Sequence, residues 1–220
     1  MLGRKRPRVS SATGTWTPQK KRRVVPRSTP STGVRTGGWR GMPGRRGELK
    51  YIDVNNYTTY LPAGSINLLN GLAPGTGPSQ RIGRKVKFLS MLFRGSISSG
   101  ATGANVFRGM VRTLIVYDKQ TNATAPTVGD ILETADATSP MDMNNRDRFV
   151  VLYNKLHAID QAGGHQSAYI EFYKKINLAT IFNAGVAGTV ADITTGSIYL
   201  VVLGANGQAV VPTNNPELYY

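Results

Sequence analysis

Phe107 to Lys119 reads FRGMVRTLIVYDK, and this stretch sets the fold class. Val111, Thr113, Ile115 and Tyr117 alternate with Arg112, Leu114 and Val116. β-Branched and aromatic residues at a period of two suit a pleated strand, whose successive side chains point to opposite faces. The same texture runs outward in both directions. Upstream, Arg84 to Ser98 (RKVKFLSMLFRGSIS) predicts a long strand. Lys85 and Lys87 alternate there with Val86 and Phe88, and Leu89, Met91, Phe93 and Ile97 share a face. Lys50 to Tyr57 (KYIDVNNY) is a candidate first strand, and Gly71 to Gln80 (GLAPGTGPSQ) is a loop. Downstream, Arg148 to His157 and Ser167 to Lys175 (SAYIEFYKK) predict strands on either side of Gln161 to Gly164 (QAGG). The Gly-Gly pair there signals a hairpin. A short strand covers Leu178 to Phe182. Ser197 to Ala205 (SIYLVVLGA) is continuously apolar, the pattern of a central strand covered on both faces. One helix is predicted, Thr127 to Ala135 (TVGDILETA), with Asp130 and Glu133 in its first turns, where carboxylates suit the helix dipole.

Seven or eight strands and one short helix in a connection predict an all-β sandwich or jelly roll. An up-and-down barrel fits less well, because the connections 58–82 and 119–146 are too long for hairpins. A length of 220 residues holds one domain, 49–220, behind a tail, 1–48. Such a domain buries a core without covalent staples. The chain has no cysteine, which excludes disulfides, thiolate zinc sites and cysteine nucleophiles. The longest strongly apolar run, Ile198 to Ala205, is far below the roughly 20 residues of a spanning helix. The N-terminal stretch has no apolar segment of the secretory kind. The expectation is a soluble protein with no membrane partner, in which the sequons at Asn56 and Asn122 are chance matches.

Charge divides the chain. The first 50 residues hold 14 of the 27 Lys and Arg residues and one of the 12 acidic ones, so +13 of the net +15 sits there. Arg4, Lys5, Arg6 and Arg8 form one cluster, Lys20, Lys21, Arg22 and Arg23 a second; Arg27, Arg35, Arg40, Arg45 and Arg46 follow more loosely. Between them lie Ser, Thr, Gly and Pro. Such a segment buries too little apolar surface to offset its ordering entropy, so a disordered arm is expected. Each cation placed near a phosphate releases condensed counterions, giving sequence-blind, salt-sensitive nucleic-acid binding. Trp16 and Trp39 are candidate base-stacking residues within this tract, or alternatively anchors of the arm on the body. The two basic blocks, flanked by Pro7 and Pro18, also have the form of a bipartite nuclear localisation signal.

Catalytic and metal chemistry find little purchase. His157, Asp160 and His165 match no strong metal-ligand spacing and read better as hydrogen-bonded surface residues about a turn. Asp118, Asp130, Asp136, Asp142 and Asp147 lie in or near one connection; a cation held between subunits is the sharper reading, solvated carboxylates or arginine partners the favoured one. Neither G-x-x-x-x-G-K nor G-x-G-x-x-G occurs. The expectation is no enzyme, no cofactor and no metal.

Three features, in order, carry a family resemblance: the basic arm leading into Arg81 to Ile97, then Arg112 to Leu132 (RTLIVYDKQTNATAPTVGDIL), then Arg146 to Lys155 (RDRFVVLYNK). Together they resemble capsid proteins of small circular Rep-encoding single-stranded DNA (CRESS-DNA) viruses, in particular geminivirus-like and unclassified members. The resemblance implies an eight-stranded viral jelly roll that self-assembles into an icosahedral shell of about 60 copies. The arm would lie on a packaged circular single-stranded DNA genome, and its clusters at 4–8 and 20–23 would bind genome and host importin. Arg81, Arg84, Lys85 and Lys87 would extend the basic inner surface. The implied locations are the virion and, during assembly, the host nucleus. Loops 58–80, 119–146 and 183–195 are the candidate contacts for a host receptor. The missing cysteines depart from the zinc-finger-like arrangement of some geminivirus capsids. About 60 arms would bring near 800 positive charges, enough for a genome on the order of a thousand nucleotides. The alternatives are a non-capsid single-stranded nucleic-acid-binding or nuclear shuttle protein, the coat protein of a small RNA satellite virus, and a ligand-binding jelly roll with a basic tail.

Overall fold

The structure is a computed structural model that describes residues 49–99, 108–160, 164–165, 167–204 and 216–220. The arm, 1–48, with its basic clusters and both tryptophans, lies outside the described residues, as do residues 161–163 of the Gln161–Gly164 turn.

Nine strands are described: β1 (Tyr57–Thr59), β2 (Ser65–Leu68), β3 (Lys85–Ser99), β4 (Arg108–Asp118), β5 (Phe149–Asp160), β6 (Ser167–Phe182), β7 (Ile193–Thr195), β8 (Ser197–Gly204) and β9 (Pro216–Tyr219). They form two antiparallel sheets, ordered β1-β9-β3-β6-β7 and β2-β8-β4-β5. The pairing is nested: β4 with β5, β3 with β6, β2 with β8, β1 with β9. This is a long ribbon doubled back on itself and then rolled, which is the jelly roll; the short β7 extends one edge.

Residues pointing between the sheets explain the alternation. Phe93, Ile97 and Ile170 of the first sheet meet Val111, Ile115, Ile159, Ile198, Leu200 and Val202 of the second. The rings of Tyr153 and Phe172 stack at 4.6 Å, and Phe93 lies 5.7 Å from Phe172. Tyr60 is buried with its hydroxyl 2.6 Å from Thr113 Oγ1, and burial pushes its phenol pKa up. On β3 the inward set changes parity: Val86 and Phe88 face the core, then Met91, Phe93 and Ile97, across an irregularity between Phe88 and Ser90. Leu89 is therefore exposed and does not share the face of Met91 and Phe93. Opposite the irregularity Asn177 takes a positive φ of 52°, which Asn tolerates better than most residues.

A second core covers the outer face of the second sheet. Leu114, Val116, Tyr199, Val201 and Leu203 pack there against Val128, Ile131, Leu132 and Ala137 of the 119–148 connection. Every residue of β8 is consequently buried, which is why its sequence is continuously apolar. The connection is thus a packed layer as well as a surface loop. Within it α1 (Val128–Ile131) starts where expected, with the Thr127 N–H donating to the Asp130 carboxylate at 2.6 Å. It stops earlier than expected because Ile131 O and Glu133 N bond to Asp142 N and Pro140 O, drawing the chain into a bridge between Leu132 and Met141.

Three further expectations need correction. Residues 50–56 form no strand: the partner of β1, β9, is only four residues long, so pairing begins with the exchange between Asn56 and Tyr220. Ser167–Lys175 and Leu178–Phe182 are one strand, because β6 pairs with β3 along its whole length. β5 and β6 are not a hairpin. They belong to opposite sheets, and among the described residues an isolated bridge between Asp160 and His165 lies where the chain passes from one to the other.

Candidate nucleic-acid interface

The outer face of the first sheet is built by β3 and β6. The cross-strand register Lys85↔Ile181, Lys87↔Ala179, Ser90↔Lys175, Leu92↔Tyr173, Arg94↔Glu171 and Ser96↔Tyr169 places these residues side by side on one face. Lys85, Lys87 and Lys175 are exposed and have no ion-pair partner among the described residues. The carboxylate of Glu171 is taken by Arg94 at 3.0 Å. Three uncompensated cations remain on this face, with Arg84 exposed just before β3.

The opposite side of the sandwich has the other sign. The layer over the second sheet carries Asp130, Glu133, Asp136, Asp142 and Asp147. These carboxylates serve local turns: Asp136 accepts from Thr138 N at 2.7 Å, and Asp142 from Asn144 N at 2.9 Å. Hydrogen bonds from the backbone and then the side chain of Thr127 hold the Asp130 carboxyl below its ordinary pKa. Among the described residues no three His, Asp or Glu side chains gather as a cation site.

Several residues singled out in the sequence lie elsewhere than expected. Arg81 does not extend a basic surface. It is 5% exposed, stacks over Phe182 at 4.6 Å and donates to Leu72 O at 3.1 Å, Gly83 O at 2.9 Å and Gly185 O at 2.6 Å. It ties two loops to the end of β6. Asp118 is buried in a bidentate pair with Arg148, at 2.9 and 2.8 Å, which is the arginine partnership favoured above and not the solvated alternative. His157 is not a surface histidine: it is 8% exposed on β5, its Nε2 has no hydrogen-bond partner, and burial followed by the Lys155 charge lowers its pKa. Asp160 and His165 exchange backbone hydrogen bonds at 3.1 and 3.0 Å, and Arg108 lies 3.4 Å from the Asp160 carboxylate. Arg84, Lys85 and Lys87 are exposed. Lys175, absent from the candidates named in the sequence, shares the face of Lys85 and Lys87. The parity of SAYIEFYKK carries that signal, since Ile170 in the core puts the odd residues outside.

Two antiparallel sheets nested as a jelly roll are an architecture that viral capsid domains share with other proteins. The chain matches the Geminivirus coat protein/nuclear export factor BR1 family over residues 4–214 and belongs to it. The match takes in the basic clusters of the arm and the sandwich as far as β8. Comparison with individually curated proteins finds no match. Coat proteins are structural components of the virion.

Proposed function

We propose that this coat protein self-assembles into a closed icosahedral shell of about 60 copies and packages circular single-stranded DNA. Residues 1–48 bind the genome, with Arg84, Lys85 and Lys87 continuing the contact onto the sandwich. The observation that carries the reading is the segregation of charge: +13 in the first 50 residues, uncompensated lysines on one sheet, and carboxylates on the layer over the other. A subunit polarised in this way gains most when its basic face meets a polyanion and its acidic layer faces away. The clusters at 4–8 and 20–23 also serve host importin, which brings the protein to the nucleus for assembly; Trp16 and Trp39 stack on unpaired bases.

Electron microscopy of the purified protein, with nuclease digestion of its contents, tests this. Closed particles of uniform size whose nucleic acid yields to DNase and not RNase are expected. RNase-sensitive contents would assign the chain to the RNA satellite type. The family description favours a second reading, a nuclear export factor. That reading requires a small species at every concentration, with steeply salt-dependent DNA affinity.

A further inference from the structure

The open face of the first sheet carries more than charge. Tyr169 and Tyr173 are each 62% exposed and Leu92 is 54% exposed, although all three sit on the two longest strands of the molecule. Leu92 lies directly opposite Tyr173, and Ser96 opposite Tyr169, so each phenol ring has an apolar or a small residue as its cross-strand neighbour. The carboxylate between the two tyrosines, Glu171, is neutralised by Arg94 at 3.0 Å. Lys85, Lys87 and Lys175 stand on the same face. A protein partner of apolar character would have to desolvate these three cations without compensation. A polyanion with flat apolar faces satisfies both halves of the surface. A duplex hides its base faces; an unpaired strand presents them.

We propose that this face is a base-stacking platform for single-stranded nucleic acid. Tyr169 and Tyr173 are the stacking rings, Leu92 is the apolar flank of Tyr173, and Lys85, Lys87 and Lys175 are the phosphate contacts. The two tyrosines are four residues apart on one strand, about 13 Å, so they hold separate bases and not one continuous stack. Because every base has a π-face, such contacts bind without regard to sequence. This inference rests on the reading of the chain as a packager of a single-stranded genome, and it extends the contact from the arm onto the folded domain.

The test measures binding of the full chain to labelled dT and rU oligomers and to a duplex of equal length, across a salt series. Tyr173→Ala and Tyr169→Ala are each expected to weaken single-strand binding about tenfold while leaving the salt slope and the duplex affinity unchanged. Tyr173→Phe keeps the ring and should bind as the parent does. Lys175→Ala should instead lower the salt slope by about one. The dT and rU series identify which polynucleotide gains from the platform; a loss on either supports it. Alanine variants that bind single strands as tightly as the parent, or that lose duplex binding equally, overturn it. So does unchanged affinity with an altered particle mass, which would make the face a contact between copies. A parent chain that binds oligomers through these tyrosines but never forms particles refutes the shell and not the platform.

Discussion

Asp118 and Arg148 meet where the long connection leaves β4 and returns to β5. The carboxylate is fully buried and accepts two guanidinium hydrogen bonds, with a third from Gln120 N at 2.9 Å. Removing one partner leaves a charge without compensation in the interior, so Arg148→Met should cost about 3–5 kcal/mol in urea unfolding. Asn70 has a comparable role for the neutral groups. Its amide donates to Thr180 Oγ1 and Gly196 O, both at 2.9 Å, and accepts from Ile198 N at 2.9 Å, tying the two sheets together. His157 supplies a pH dependence. Its folded pKa lies below the unfolded one because burial disfavours the imidazolium, so the unfolded chain takes up the proton first as pH falls. Stability is full above the ordinary histidine value, about 6.5, and declines as pH drops through the depressed one. The melting temperature should therefore fall as pH drops below about 6.5, and His157→Leu should flatten that decline; an unchanged slope in the variant would remove His157 as its source.

Among elements, β8 shows how a packed layer is written into sequence. Its unbroken apolar run required cover on both faces, and the helix start at Thr127 was legible nearby. That the one covers the other was not legible, because nothing in either segment states which surface it meets. Ile131→Ala should destabilise the domain by about 2–5 kcal/mol, by opening a void against the outer face of the second sheet; calorimetry would read it. Spacing alone groups Leu89 with Met91 and Phe93, and the register shift between Phe88 and Ser90 that separates them depends on pairing with β6. The apparent β5–β6 hairpin misled for the same reason. A Gly-Gly pair signals a reversal of direction and carries no information on whether the chain stays in its sheet. Gly196 makes such a change in one residue: β7 lies in the first sheet and β8 in the second. It has φ +86°, and a Cβ there would come 2.2 Å from Ala179 O. Gly196→Ala should thus lose at least about 1–3 kcal/mol, read by the same unfolding assay.

At the scale of the molecule, the sequence separated a neutral body from a cationic arm by charge alone, and it pointed to lysines on the long third strand. It misplaced Arg81, because a basic residue next to a basic strand gives no sign that loop carbonyls and Phe182 enclose it. It passed over Lys175 and the two tyrosines because their grouping is a product of cross-strand register. Deleting residues 1–40 should abolish nucleic-acid packaging while leaving the sandwich's melting transition in place, since the charge split assigns those residues to the arm and not to the body. Loss of that transition would contradict the division into arm and body.

The nested strand order has a bearing on biosynthesis. Tyr57 is hydrogen-bonded in register with Tyr219, and Ser65 with Val202, so the outermost partners are the farthest apart along the polypeptide. Contacts of that separation form slowly, since the intervening loop must be closed first. A ribosome must therefore release β8 before β2 has its partner and β9 before β1 has its own, so a half-made sandwich lacks both of these edges.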